Sequence, residues 1–414
     1  MSTGLDRLLP QLPADWAATP VRYASTCLDG RRVPLNVEER SGRSGDYPYW
    51  GANGVVDAVD DYTFDEPLVL LGEDGAPFFD KTRPVAFFVN GKIRVNNHIH
   101  VLRIAPGFDP RFVMQALNAT EYAPWIEGST RDKLTQDKMG SILIPTPPLR
   151  QQRAIADYLD RETARLDGLV AAKERLLTLL AEKRRALIAR AVTRGLDSGA
   201  PLRDSGIPWL GKIPAHWRLK RAKWLFRERD ERSTTGEEVL LSLRMERGLV
   251  PHNEVSEKQT RAEELIGYKK AGYNEIVLNR MRAASGLVAV SPQDGLVSPD
   301  YAVFQAGPDV EPCYFTHLFK SELLQAVFRS ESTGLGTGSS GFLRLYSENF
   351  LSLWLPYPPY QEQREILQYI TDETRKLDAV HTATERTIAL LKERRAALIT
   401  AAVTGKIDVQ GANH

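Results

Sequence analysis

Three groups of residues have types and spacing that suit chemistry. His98 and His100 lie two apart in the β-rich run HIHVLRI. On a strand their imidazoles would face one side, as half of a metal site, but no third ligand is close in sequence. The tetrad Tyr357-Pro358-Pro359-Tyr360 has the shape of a site in which a polar residue before Pro-Pro-aromatic accepts a hydrogen bond from an amine about to be methylated. Here the first residue is Tyr357, and the matching stretch Thr146-Pro147-Pro148-Leu149 has no aromatic fourth residue, so the prolines read better as helix starts. GLGTGSSG, from Gly334 to Gly341, is glycine-rich enough to cradle a phosphate. Such a cradle needs a strand before it and a helix N-terminus after it. The flanks FRSEST and FLRLYSENF offer neither, nor a Walker lysine, and the stretch reads as a loop able to close on a backbone. The sequence shows no nucleophile elbow, helicase motif or nuclease carboxylate cluster. The expectation is a chain with no catalytic residue, no metal and no cofactor of its own.

The elements around these residues come from 414 residues, enough for two to four domains. Lys plus Arg (54) nearly cancels Asp plus Glu (53), leaving +1, which excludes binding to polyanions through bulk charge but not through local basic surfaces. Cys27 and Cys313 are too few for a disulfide framework, so a reducing cytoplasm is expected. No apolar run approaches the roughly 20 residues that span a bilayer, and MSTGLDRLLPQLPADW has no signal-peptide core. No membrane partner is expected.

An internal repeat organises the chain. Ile144 to Asp197 and Leu355 to Asp408 align without a gap at an offset of 211, with 25 of 54 positions identical. Matched pairs include Pro148/Pro359, Gln152/Gln363, Arg153/Arg364, Leu166/Leu377, Asp167/Asp378 and Glu182/Glu393. LPADW (Leu12 to Trp16) also returns as IPAHW (Ile213 to Trp217). We read this as duplication of a half-protein.

Each repeated segment opens on prolines and then runs Pro-free with apolar residues at helical spacing. The first stripe holds Ile155, Leu159, Leu166, Leu177 and Leu180; the second holds Ile366, Ile370, Leu377 and Leu391. A helix of about 45 residues is roughly 65 Å long and cannot bury its stripe in a small domain. The expected partner is the other copy, as an antiparallel coiled coil about a pseudo-twofold axis; the alternative is packing on its own globular half. Gly168 marks a candidate kink or break.

Before each helix lies a variable region with short β-rich runs: PLVLLG, VAFFVNG and HIHVLRI in the first, EVLLSL, EIVLN and LVAVS in the second. Helical stretches follow near Pro110 to Ala119 and Pro312 to Phe328. The expected fold class is mixed α/β (α+β): a variable domain at 1–148, a long helix at 149–197, a linker at 198–214, a second variable domain at 215–357, a second long helix at 358–408 and a tail at 409–414.

These residues carry a resemblance. PPLRQQRAIADYLD (Pro147 to Asp160) and PPYQEQREILQYITDET (Pro358 to Thr374) look like the proline–glutamine starts of the conserved helices in specificity (S) subunits of type I restriction–modification enzymes. YPYWGANGVV (Tyr47 to Val56), VLNRMRAASGLVAVSPQDGLVSPDYAVF (Val277 to Phe304) and LRLYSENFLSLWLP (Leu343 to Pro356) resemble that family's target-recognition domains. The first copy departs at Gln151, where the family usually shows the glutamate that Glu362 supplies in the second. The resemblance implies a non-catalytic subunit that reads a bipartite, asymmetric sequence in double-stranded DNA, one domain per half-site. It implies helices that hold the domains apart and dock two methyltransferase subunits, with restriction/translocase subunits joining. S-adenosylmethionine, ATP and Mg²⁺ would bind those partners. A rigid rod should fix the gap between half-sites, roughly one DNA turn. A subunit of a fused restriction–methylation enzyme, or a coiled-coil scaffold that reads no DNA, are the alternatives.

Candidate DNA contacts mix phosphate holders with base readers. Arg131 and Lys133 precede the last strand of the first domain, and Arg344 falls at the repeat offset from Lys133. Arg280 and Arg282 suit phosphate or guanine. Trp50 and Asn53, in a Gly-rich turn, and Asn97 and His98 are further candidates; turn formation or core packing would explain these equally well. The basic stretch Arg218 to Phe226 reads as a strand with a solvated face, and the tails EKRRALI and ERRAALI as solvated coiled-coil flanks.

Overall fold

A computed structural model describes residues 12–126, 132–257, 260–335 and 342–409. The chain forms two compact units, one of residues 1–176 and 383–414, the other of residues 177–382. The two long helices, Leu149–Arg194 and Tyr360–Val403, each give one part to each unit.

Both units repeat one plan. In the first, a four-stranded antiparallel sheet runs in the order Ser25–Cys27, Ile99–Ile104, Leu68–Gly72, Ala86–Val89. In the second, the order is Phe226–Arg229, Tyr301–Ala306, Ile276–Asn279, Val288–Val290. The chain thus threads both sheets in the same spatial order. Leu68–Gly72 is buried throughout, which is why it reads as an unbroken apolar run rather than an alternating one. Pro110–Ala119 and Pro312–Phe319 form the expected helices, each with proline in its first turn behind an acidic cap, Asp109 or Glu311. The stretch to Phe328 breaks in two, because Ser321 caps a separate helix, Glu322–Ser330, by accepting from Leu324 N.

Within each unit the helices pair antiparallel. Arg395 Nε lies 2.9 Å from Asp167 Oδ1 and Lys392 Nζ 3.7 Å from Glu174 Oε1 in the first unit. Arg184 pairs with Asp378 in the second, which is the Arg395–Asp167 pair moved by the repeat offset. The basic tails therefore carry cross-helix ion pairs as well as solvated charge. Gly168 makes no break, since the first helix runs through it, and a Cβ there would meet nothing within 4 Å.

The stripes do more than face one another. Ile155 and Leu159 join the first unit's core with Phe112, Val113 and, from the other helix, Ile399, Ala402 and Val403. Ile366 and Ile370 do the same in the second with Tyr314, Phe315, Ala191 and Val192. Leu166 and Leu377 are buried, whereas Leu177, Leu180 and Leu391 are half-buried. The antiparallel pairing foreseen for the stripes holds, and at its ends the start of one helix and the end of the other are in addition absorbed into a globular core. Among the described residues, no helix is long and apolar enough to cross a membrane.

A buried glutamine locks each helix start. Gln152 Oε1 accepts from Asp109 N (2.8 Å), and Nε2 donates to Pro147 O (2.8 Å). Gln363 repeats this with Glu311 N (2.9 Å) and Pro358 O (2.9 Å), and adds Asp309 O (3.2 Å). Trp16 Nε1 donates to Gln151 Oε1 (2.8 Å), and Trp217 Nε1 to Glu362 Oε1 (2.9 Å). The family glutamate missing at Gln151 is compensated: Gln151 Nε2 donates to Asp15 Oδ2 at 3.1 Å, where Glu362 instead meets His216 at 2.8 Å. Gln363→Leu would leave Glu311 N and the buried Pro358 O without their partner, while Asp309 O keeps the Tyr357 hydroxyl. The substitution should destabilise the second unit by roughly 2–4 kcal/mol, measured as a shift in the urea midpoint followed by tryptophan fluorescence.

Candidate nucleic-acid interface

In the first unit the candidates gather round one turn, Glu73–Gly75, at the end of strand Leu68–Gly72. Leu134 N donates to Glu73 O at 2.8 Å, Gly75 N to Asp132 O at 3.1 Å, and Glu73 N to His98 O at 3.0 Å. Asn53, exposed, donates from Nδ2 to Gly75 O at 3.3 Å. His98 Nδ1 lies 3.3 Å from Asp74 Oδ2. Lys133 Nζ is 3.6 Å from Glu73 Oε1, with half its side chain exposed. Exposed Asn97 is tied in through its carbonyl, which accepts from Arg32 Nη1 at 3.4 Å, while the same Nη1 reaches Glu73 at 2.7 Å. Trp50 is a correction: its half-buried ring packs at the core that holds Leu70 and Val101, 5.3 Å from Phe87. Core packing, not a groove, explains it. Arg131 lies outside the described residues, as do Gly336 to Gly341 of the glycine-rich loop.

Beneath this turn His100 is almost wholly buried. Its Nδ1 lies 2.6 Å from Asp29 Oδ2, and its Nε2 lies 2.9 Å from Leu134 O. Both ring nitrogens thus face oxygen atoms, which fixes the orientation of the ring. Burial alone would raise the Asp29 pKa; the hydrogen bonds from His100 and Val101 N, with the charges of His100 and Arg32, outweigh it and hold the carboxyl below its ordinary value. Burial pushes the neighbouring Cys27 thiol up to about 11. Atoms of Cys27, Asp29 and His100 lie within 4.8 Å of one another, but His98 is not among them and meets Asp74 instead, so the two histidines do not form the half-site their spacing suggested. The contacts among these groups make the cluster a support for the turn: it pins Leu134, and with it the segment that carries Lys133.

The second unit builds the same place from different charges. Leu345 N donates to Arg280 O at 2.9 Å, the counterpart of the Leu134–Glu73 bond, because Leu345 is Leu134 moved by the repeat offset. The turn is Arg280-Met281-Arg282 where the first unit has Glu73-Asp74-Gly75. Asn279 Oδ1 shapes it by accepting from Met281 N and Arg282 N. Arg280 is committed inward, to Glu228 and Ser347, so its guanidinium braces the turn. Arg344 lies 3.5 Å from Asp300 and over the Tyr346 ring. Arg282 is exposed and has no ion pair among the described residues. Asp29, Arg32 and Glu73 went unnoticed in the sequence; no spacing signals them, since strand pairing alone brings them to the turn.

Residues 30–176 match the family model described as the type I restriction modification DNA specificity domain. S.HindORF215P of Haemophilus influenzae, described as a type I restriction enzyme specificity subunit, is 34% identical over 162 residues, covering 39% of this chain and 40% of that protein. The EcoKI specificity subunit of Escherichia coli K12 is 21% identical over 440 residues, covering 97% and 91%. A chain from a solved type I R-M system superposes with a TM-score of 0.68 at 16% identity, covering 96% and 100%. The HsdS subunit of Thermoanaerobacter tengcongensis gives 0.53 at 14% identity, covering 98% and 100%.

Over residues 30–176 this chain is similar to the DNA specificity domain of type I restriction–modification enzymes, and its fold is that of a type I specificity subunit. The match to the Haemophilus relative spans less than half of that protein, whereas the fold matches specificity subunits end to end. The turn at Glu73–Gly75 and its counterpart at Arg280–Arg282 are one scaffold position carrying two different surfaces. Because the Asp29 pKa is lowered in the folded state, its stabilisation is complete above the ordinary aspartate range and is lost as pH falls through the lowered value. Asp29→Asn should lower the thermal midpoint of the first unit at pH 7 and flatten the acid limb of its stability–pH curve.

Proposed function

We propose that this chain is the DNA-reading subunit of a type I restriction–modification complex, in which each unit contacts one half of a bipartite, asymmetric site. The observation that carries the reading is the doubled scaffold with unlike turns. A palindromic reader would present the same side chains twice; here an acidic, His- and Lys-flanked turn stands where the other unit has Arg280-Met281-Arg282. Lys133 and Arg344, at the same repeat position, hold phosphate in both units, and Arg282 reads or holds DNA in the second. Catalysis is left to partners: two methyltransferase subunits with S-adenosylmethionine, and restriction/translocase subunits with ATP and Mg²⁺.

The helices supply a docking surface. Leu169 and Leu390 are 43% and 55% exposed in the first unit, and their repeat counterparts Val380 and Leu179 are 46% and 51% exposed in the second. By the register of the ion pairs, each couple stands near one level of the antiparallel helices. An exposed apolar pair kept in both copies suits two copies of one helical partner.

The decisive experiment is methylome sequencing of a host that expresses the chain with the methyltransferase encoded beside it. A split asymmetric motif should gain N6-methyladenine, and exchanging residues 15–148 should change one half-site only. If the methyltransferase works with another specificity subunit yet no motif appears with this one, the DNA-reading assignment fails and the scaffold reading leads. Arg282→Ala should weaken specific binding by about 1–3 kcal/mol if it reads a base, or lower the salt slope by about one if it holds phosphate. Titration of labelled duplex at several salt concentrations separates the two.

A further inference from the structure

The duplication samples each position twice, so an exposed side chain of one chemistry retained in both copies marks a contact the two halves share. Tyr23 and Trp224 form such a pair. Each stands seven residues after its repeat tryptophan, Trp16 or Trp217, and directly after a cation, Arg22 or Lys223. Both are large aromatics held out in water, 66% and 63% exposed. The preceding cation lies over the ring in both, 5.0 Å from the centroid for Arg22 and 5.9 Å for Lys223. Folding gives no reason to keep either ring exposed, because both neighbours in the short helical turn, Val21 and Ala24 or Ala222 and Leu225, already bury themselves. The second unit extends the motif: Trp354, 40% exposed, meets Trp224 edge-on at 6.1 Å, with Arg221 over it at 5.3 Å.

We infer that Arg22–Tyr23 and Lys223–Trp224 are two equivalent contact sites for a protein partner that binds twice, one copy per unit, through a surface of acidic and apolar groups. In the assembly proposed above, on which this rests, that partner is the methyltransferase subunit. Trp, Tyr and Arg are the side chains that most often dominate protein–protein binding, and burying a flat ring beside a cation rewards an apolar surface with a carboxylate at its rim. Arg218, Lys220, Arg221, Lys223 and Arg227 make no ion pair among the described residues, which leaves the second site open to acidic groups. Duplex DNA fits less well. Its bases are stacked and show only their edges, so it offers no face to an exposed tryptophan; aromatic stacking belongs to single strands. These sites stand on short helical turns, not on the long helices that carry Leu169/Leu390 and Leu179/Val380, and give each partner copy a second foothold.

The test is native mass spectrometry and affinity titration of the full chain with the purified methyltransferase subunit, using Tyr23→Ala, Trp224→Ala and the double variant. The wild type should bind two copies. Each single variant should keep one at unchanged affinity and weaken the other at least tenfold, and the double variant should weaken both, with thermal midpoints unchanged because both rings are exposed. Two copies bound at wild-type affinity by the double variant would overturn the inference. So would a Trp224→Ala variant that loses duplex affinity but keeps the methyltransferase, since the surface would then belong to DNA. If the wild type binds no methyltransferase while Leu169→Glu and Leu390→Glu change nothing, the assembly reading itself has failed.

Discussion

Each long helix begins beside a glutamine amide that is shut away from water and has to be satisfied on both of its ends. Gln152 and Gln363 meet that demand by bridging the prolines ahead of the helix to the backbone at the cap of a domain helix, so neither helix can start without its globular domain in place. Losing such a bridge leaves desolvated backbone groups unpaired, which costs far more than an exposed hydrogen bond. The remaining architecture follows from that constraint. Once a helix start is anchored, Ile155 and Leu159, or Ile366 and Ile370, are carried into the domain core, and the core closes around the last turns of the other helix.

The same logic explains how a duplicated chain tolerates divergence. Contacts that define the scaffold recur at the repeat offset: the Trp16 and Trp217 bonds to the helix starts, the Asp167–Arg395 and Asp378–Arg184 pairs, and the Leu134 and Leu345 bonds to the turn below. Where one partner changes, the other changes with it, as Asp15–Gln151 against His216–Glu362. The turns at Glu73–Gly75 and Arg280–Arg282 occupy one scaffold position and differ in charge. A fixed backbone carrying replaceable turn residues is what the proposed reading of two unrelated half-sites would require, since backbone contacts position and side chains specify. Buried support such as the His100–Asp29 pair holds the turn still, so its exposed residues need not carry their own order.

Much of this was legible in the sequence. The repeat, both long helices, the central strands and the two domain helices follow from spacing and from proline placement, because helix and strand periodicities are local properties. Lys133, Arg344 and Arg282 were legible as basic positions near a strand end. Trp50 and Arg280 were misjudged for one reason: a type and a turn position do not say which way a side chain points. Trp50 turned into the core and Arg280 toward Glu228.

By itself, then, the sequence determined that the chain is two versions of one half, that each half ends in a long amphipathic helix, and that no catalytic motif accompanies them. Those features rest on periodicity and on residues close together along the chain. Only the tertiary structure decided that each helix is shared between two cores, that His100 pairs with an aspartate 71 positions away, and that Glu73 and Arg280 occupy equivalent places. Such facts depend on strand register and on the burial of particular side chains. Both are set by the whole core closing at once, which no local window of residues can report.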